Sequence, residues 1–347
     1  MESSRQAAKV VRVIEHIGAK SFILAADPAR GTDALAPFRA GQFISIQQRI
    51  GNAYPSRPYS IRSGPGEAEY AFTLERCPDG LFSPNALDNW QPGTEVWLSQ
   101  PAGDFYWDPA RDAGHIIALA GGSGVTPFFS MASAIADGIE PFEMTILYGS
   151  PTYERIILRE ELEAIAARSN GKVRLVHVLS KEPHEGCEFG FITADLIRKY
   201  APKTDYTIRV CGPGPMYRFL HEELPKLGLP EERIRFEIPG EFGDPSQDPS
   251  YPNEAVGKTF RVTARVNGVD TVCECPNYTT LLRAMEYAGI AAESRCRSGR
   301  CGWCRAKLIS GQVFIPTDRA EPEAVGTIRP CVTYPLSDVI ITPVVSE

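Results

Sequence analysis

The spacing of four cysteines constrains this chain more than any other feature. Cys296, Cys301 and Cys304 are separated by four and then two residues in "SRCRSGRCGWC", and Cys331 follows alone after 26 more, in "RPCVTYP". Four thiols can hold zinc, hold iron and sulfide, or close two disulfides. Structural zinc takes its ligands from two short knuckles, whereas here the fourth thiol stands alone. Three thiolates on one loop with a fourth from a distant segment is the spacing of a [2Fe–2S] cluster. The filler agrees, because Ser298, Gly299 and Gly302 let the backbone wrap closely and aim N–H groups at sulfur. Iron–sulfur is the expected occupant, with zinc as the alternative. The five histidines, at 16, 115, 177, 184 and 221, lie away from the cluster loop, which leaves mixed Cys/His ligation without support. His177, in "VRLVHVLS", reads as a packed strand residue.

Nine cysteines, behind an N-terminus that mixes charges into its apolar residues, lead us to expect a reducing, cytoplasmic location. A net charge of −7 gives no whole-chain case for nucleic acid. Residues 116–136 are uncharged over a length that could span a bilayer. Gly121, Gly122, Gly124 and Pro127 interrupt that run, so a buried strand, a tight loop and a helix are expected there rather than membrane insertion.

At 347 residues the chain is long enough for two or three domains. From Lys9 to about Phe105 short alternating runs such as "FISIQ", "YAFTLERC" and "EVWLS" are broken by turn residues, as in a small antiparallel β-barrel. Past Asp112 continuous apolar runs alternate with helical stretches, which predicts an α/β domain with a parallel sheet. The Pro-, Gly- and Asp-rich segment Pro239 to Gly257 reads as a linker with little to bury. Two alternating strands then flank Asn267-Gly268, a hairpin signal, and a helix ends at Gly289 before the cysteine loop. The expected division is 1–110, 111–240, a linker at 241–257, and 258–347.

Four further motifs stand in order. "RPYS" (Arg57 to Ser60) places a guanidinium beside an aromatic ring and a hydroxyl, suited to a phosphate, a flat ring system and its polar edge. "GLFS" (Gly80 to Ser83) opens a short helix. "GGSGVTP" comes off an apolar strand into a helix, with Thr126 as expected N-cap and Pro127 at the first helical position. Its amides could receive a pyrophosphate. "CGPGPM" repeats that arrangement at a later strand end, where an open α/β sheet places its crevice.

Together these motifs resemble the ferredoxin–NADP reductase superfamily of flavoprotein reductases, and residues 258–347 resemble plant-type ferredoxins. The whole chain is similar to phthalate dioxygenase reductase-type and vanillate demethylase reductase-type proteins. The resemblance implies a multidomain fold: a flavin-binding β-barrel, a nicotinamide nucleotide domain and an α+β β-grasp ferredoxin domain. It implies that Arg57, Pro58, Tyr59 and Ser60 hold the flavin, with Gly80 and Ser83 on its pyrophosphate. Gly121, Gly122, Gly124 and Thr126 would receive the nucleotide. Cys211 and Gly212 would lie beside the nicotinamide, with Ser60 and Cys211 as catalytic residues and Glu237 near the flavin. Cys296, Cys301, Cys304 and Cys331 would ligate the cluster. FAD is favoured with FMN as the alternative, and NADH leads NADPH, although Arg155 and Arg159 could meet a 2′-phosphate.

The function implied is an NAD(P)H-dependent reductase passing electrons through flavin and a cluster at roughly −400 mV to a protein acceptor, such as an oxygenase or demethylase component. Its rivals are a subunit of a permanent redox complex, and a flavin reductase with a non-redox C-terminal binding module. Residues 254–347 carry 11 Lys and Arg against 10 Asp and Glu. The arginines at 295, 297, 300 and 305 read either as a solvated face or as a surface whose counterpart is an acidic partner or the acidic remainder of this chain.

Overall fold

The computed structural model describes residues 5–77, 80–237, 243–266, 268–290, 292–316 and 323–344. Six strands form its first sheet: β1 (Arg5–His16), β2 (Ala19–Ala26), β3 (Phe43–Gln47), β4 (Ser56–Ser60), β5 (Tyr70–Glu75) and β6 (Glu95–Ser99). Their order is β4-β3-β6-β1-β2-β5, antiparallel throughout. Just beyond β4 the Arg62 N–H donates to Ala71 O in β5 at 2.7 Å, drawing the two edges of the sheet together. The curled sheet and helix α1 (Phe82–Asn89) enclose Phe22, Ile44, Phe72, Phe82 and Trp90. The runs "FISIQ", "YAFTLE" and "EVWLS" are β3, β5 and β6, because their alternating apolar residues face this core.

The second unit runs β7 (His115–Gly121), α2 (Thr126–Ala136), β8 (Glu143–Ser150), α3 (Arg159–Arg168), β9 (Val173–Leu179), β10 (Glu188–Phe189), α4 (Ala194–Tyr200), β11 (Thr207–Cys211), α5 (Gly214–Glu223) and β12 (Ile234–Phe236). All its strand pairs are parallel, in the order β10-β9-β8-β7-β11-β12. The order reverses between β7 and β11, and a crevice opens at the carboxyl ends of such neighbours. The uncharged stretch 116–136 is β7 and α2, both packed in the interior. Among the described residues no helix is long and apolar enough to cross a membrane. His177 lies buried on β9 with Nε2 3.2 Å from Glu163 Oε1.

The third unit comprises β13 (Thr259–Val266), β14 (Val269–Pro276), α6 (Leu281–Tyr287), β15 (Ala306–Ser310), β16 (Val313–Phe314), β17 (Thr327–Ile328), β18 (Tyr334–Pro335) and β19 (Val339–Pro343). A mixed sheet, β14-β13-β19-β15-β17, has β13 parallel to β19 and α6 packed on it through Leu281 and Met285, which is the β-grasp arrangement. Val266 pairs with Val269 across the two-residue turn, of which Gly268 has φ +79° and Asn267 lies outside the described residues. Part of the expected linker, 239–242, also lies outside them. The remainder buries more than its composition suggested: Tyr251 and Ala255 pack against Phe314 and Tyr334.

A buried cation joins the first two units. Arg209 on β11 donates Nη1–H to Phe105 O and Nη2–H to Tyr106 O at 2.8 Å, at the end of the barrel segment. Its Nη2 lies 2.7 Å from Asp112 Oδ2, and neither side chain has exposed surface. Removing one partner of such a pair strands a charge in the interior. Asp112→Ala is therefore expected to lower stability by about 3–5 kcal/mol in urea unfolding followed by tryptophan fluorescence. The double change Asp112→Ala/Arg209→Met should cost less than the single one.

Candidate functional site

The three units meet around one cleft of ≈ 660 Å³. Antiparallel pairing of β4 with β3 turns Tyr59 and Ser60 toward it. The Tyr59 ring is backed by Phe72 and Phe82, with centroids 5.1 and 5.8 Å away, so its other face is presented to the cleft. Burial drives the Tyr59 phenol far above its ordinary range, keeping it neutral. Arg57, Pro58, Gly80 and Ser83 also line the cleft. Ser83 Oγ accepts from the Cys77 N–H at 2.9 Å, which fastens the turn before α1.

At the switch between β7 and β11 two loops come nearly into backbone contact. A Cβ at Gly124 would lie 2.3 Å from Cys211 O, and one at Gly121 would lie 2.7 Å from Met216 Sδ. Gly121, Gly124, Thr126, Cys211 and Gly212 all line the cleft, whereas Gly122 does not. Thr126 is not the N-cap expected from sequence. A 3-10 turn over Gly122–Val125 winds straight into α2, so Thr126 is already helical and its hydroxyl donates to Ser123 O at 2.9 Å. Burial and the neighbouring Glu237 carboxyl hold the Cys211 thiol well above its ordinary pKa. Glu237, also in the cleft and half-buried, is pushed up to about 8 by burial, with Asp104 adding to the rise.

The four cysteines fall into two pairs. Cys304 and Cys331 Sγ atoms are 3.3 Å apart, while the Cys301 N–H donates to Cys296 Sγ at 3.3 Å and the Cys296 N–H to Cys301 Sγ at 3.5 Å. All four are free thiols. Two thiols per metal, with amides aimed at sulfur, suit a two-iron centre. Cys301 and Cys296 face the cleft, and Cys304 and Cys331 are buried behind them.

Two of the loop arginines pair with acids of their own unit, while the charge of Arg300 is felt at Glu237, in the acidic remainder of the chain. Arg297 is buried against Glu286 (Nη1 to Oε1 2.6 Å), and Arg305 Nε donates to Glu323 Oε1 at 2.8 Å, both acids belonging to the same unit. Arg295 lies 3.2 Å over the Trp303 ring. Arg300 alone of the four lines the cleft.

Residues 118–222 match the oxidoreductase NAD-binding domain family, and residues 264–336 match the 2Fe-2S iron-sulfur cluster binding domain family. The chain is an NAD-binding, 2Fe-2S-binding oxidoreductase. The ferredoxin reductase component of 3-ketosteroid-9-alpha-monooxygenase from Rhodococcus rhodochrous is 29% identical over 343 residues, 95% of this chain and 94% of that one. NADH oxidoreductase HCR of Escherichia coli K12 is 28% identical over 309 residues, covering 88% of this chain and 89% of its own. The fold matches that of phthalate dioxygenase reductase with a TM-score of 0.66 over 99% of both chains, at 24% identity.

Three groups in the oxidoreductase's site carried no sequence signal of their own. Glu75 of β5 accepts from the Ser123 N–H at 2.9 Å, so a barrel carboxylate rests on the nucleotide loop. Tyr217 donates to the backbone carbonyl of Glu237 and accepts from the Gly212 N–H at 3.4 Å. Glu286 bonds both Arg297 and Arg57. Each looked like an ordinary residue of a strand or helix until long-range pairing placed it. The close approach at the switch makes a direct prediction. Gly124→Ala forces two backbone segments apart, and should cost about 1–3 kcal/mol and abolish flavin reduction by NADH in stopped-flow spectroscopy.

Proposed function

We propose that this oxidoreductase takes two electrons from NADH at a flavin held by the barrel and releases them one at a time, through its [2Fe–2S] centre, to a partner protein. The observation that carries this reading is the single cleft lined at once by Tyr59, Cys211 and Cys301. A hydride donor, a flat acceptor and a one-electron outlet need adjacent sites, and one continuous space joins the residues suited to each. When bound, the flavin would supply the two-to-one electron conversion that neither neighbour can perform. NADH loses a hydride, two acceptor molecules each gain one electron, and one proton is released to solvent.

Within that scheme Tyr59 stacks on the flavin ring, Arg57 meets its phosphate and Ser60 bonds its polar edge. Pro58 fixes the backbone between them, and Gly80 and Ser83 serve a pyrophosphate, which favours FAD over FMN. Gly121, Gly124 and Thr126 receive the nucleotide, and the neutral Cys211 thiol with Gly212 forms a wall beside the nicotinamide. Gly122 acts indirectly, by admitting Glu75 against the loop. Glu237, held as the acid, can donate a hydrogen bond at neutral pH. NADH is preferred because Arg155 and Arg159 do not line the cleft; Arg159 instead lies 4.1 Å over the Tyr153 ring. The domain division proposed is 1–110, 111–240, 241–257 and 258–347. Nine free thiols suit a reducing, cytoplasmic setting. The Rhodococcus relative is a monooxygenase component by name, and an oxygenase or demethylase component is the acceptor we propose.

Anaerobic titration with NADH and then NADPH tests the scheme. Flavin bands and the long-wavelength iron–sulfur band should bleach together with NADH. Cys304→Ser should lose the second band and electron delivery to a one-electron acceptor while keeping flavin reduction. A chain that binds no flavin would sink the proposal.

Glu237 adds a pH dependence of known sign. Its folded pKa of about 8 exceeds the ordinary 4.5, so the fold favours the protonated form. That contribution is complete below the ordinary value and is lost as pH rises through the folded one. Thermal midpoints measured from pH 4.5 to 8 should therefore fall more steeply for the natural chain than for Glu237→Gln.

A further inference from the structure

One carboxylate in the iron–sulfur unit is bonded to the barrel. Glu286 projects from α6 into the seam between the two units and is almost wholly buried. Its Oε1 accepts from Arg297 Nη1 at 2.6 Å and from the Ser56 N–H at 3.3 Å, and its Oε2 accepts from Arg57 Nη1 at 3.0 Å. Arg297 Nη1 also donates to Ser56 O at 3.2 Å, tying the cysteine loop to β4 a second time. At the rim, Ser56 Oγ donates to Ser294 O at 3.3 Å and Ser45 Oγ to Arg295 O at 2.9 Å.

Ser56 immediately precedes the cleft-lining run Arg57 to Ser60, and Arg297 immediately follows the cluster cysteine Cys296. The clamp therefore acts at the shortest covalent distance from both sites. The carboxylate is shared, its two oxygens accepting from two guanidinium groups. One of these, Arg57, also lines the cleft, where an anion could bond the same guanidinium.

We infer that Glu286 is an interdomain positioning residue, whose carboxylate joins Arg297 of the cysteine loop to Ser56 and Arg57 of the flavin strand, so that seating of the iron–sulfur unit and occupation of the flavin phosphate site support each other. The second half of this rests on the flavin reading above; the first half does not. Electron passage falls steeply with distance, so a seam held at both ends of the gap keeps the outlet within reach of the donor.

Hydrogen–deuterium exchange on the full-length chain, with and without added FAD, reads the clamp independently of turnover. Glu286→Gln removes the charge but keeps an acceptor of similar shape. Exchange should rise about tenfold at residues 56–60 and 294–298 together, with the β7–β12 sheet unchanged, and added FAD should protect both segments in the natural chain. In stopped flow, the ratio of the flavin-to-cluster rate to the flavin-reduction rate should fall about tenfold. Glu286→Asp, with the charge kept but the reach shortened, carries the same measurement should the Gln chain not fold, and Ser45→Ala is the rim control, expected to loosen only residues 43–47. A rise confined to 294–298 would mean that Glu286 serves only its own unit, and no rise at either segment would remove its role altogether; both overturn the inference. If the natural chain binds no FAD yet Glu286→Gln still loosens both segments, the clamp stands and the flavin reading falls.

Discussion

Everything at the site depends on charged groups that give up water to hold separate units together. Arg209 has no exposed surface, yet three oxygens surround it, two from the barrel's last turn and one from Asp112. Burial pulls its pKa down to about 10, and Asp112 works against that fall. Exchanged for apolar side chains, such a cation could leave an equally stable interior. What the ion pair adds is direction, because a guanidinium that must reach Phe105 O and Tyr106 O permits few orientations of barrel against sheet.

The same device recurs between the first sheet and the iron–sulfur unit. Burial alone would raise the Glu286 carboxyl, but Arg297 and Arg57 outweigh it and hold it below the usual carboxylate range. Burial holds Tyr59 and Cys211 neutral in the cleft and shifts Glu237 toward its acid form. Charged side chains line the same space, among them Arg57, Glu75, Asp104 and Arg300.

Local readings served well wherever a pattern had only one way to bury itself. The strands "FISIQ" and "EVWLS" formed where alternation put them. The reading of Thr126 as an N-cap failed because the turn before it winds as a 3-10 helix and passes directly into α2. The linker was judged by composition, which could not show that Tyr251 would meet Phe314 across a sheet edge. A count of charges cannot choose among a solvated face, an acidic partner and the rest of the chain for the loop arginines, and it cannot see Glu286 one helix away.

Sequence alone determined the chemistry this protein can carry: four thiols at a cluster spacing, glycines where backbones must touch, and a ring beside a guanidinium in "RPYS". Those are local demands, met by a few neighbouring residues whatever the rest of the chain does. Only the tertiary structure decided that the three sites share one cleft. That sharing depends on Arg209, Glu75 and Glu286, whose partners in other units lie 48 to 230 residues away along the chain. Each gains its role only when folding brings a second charge or a free amide within bonding distance.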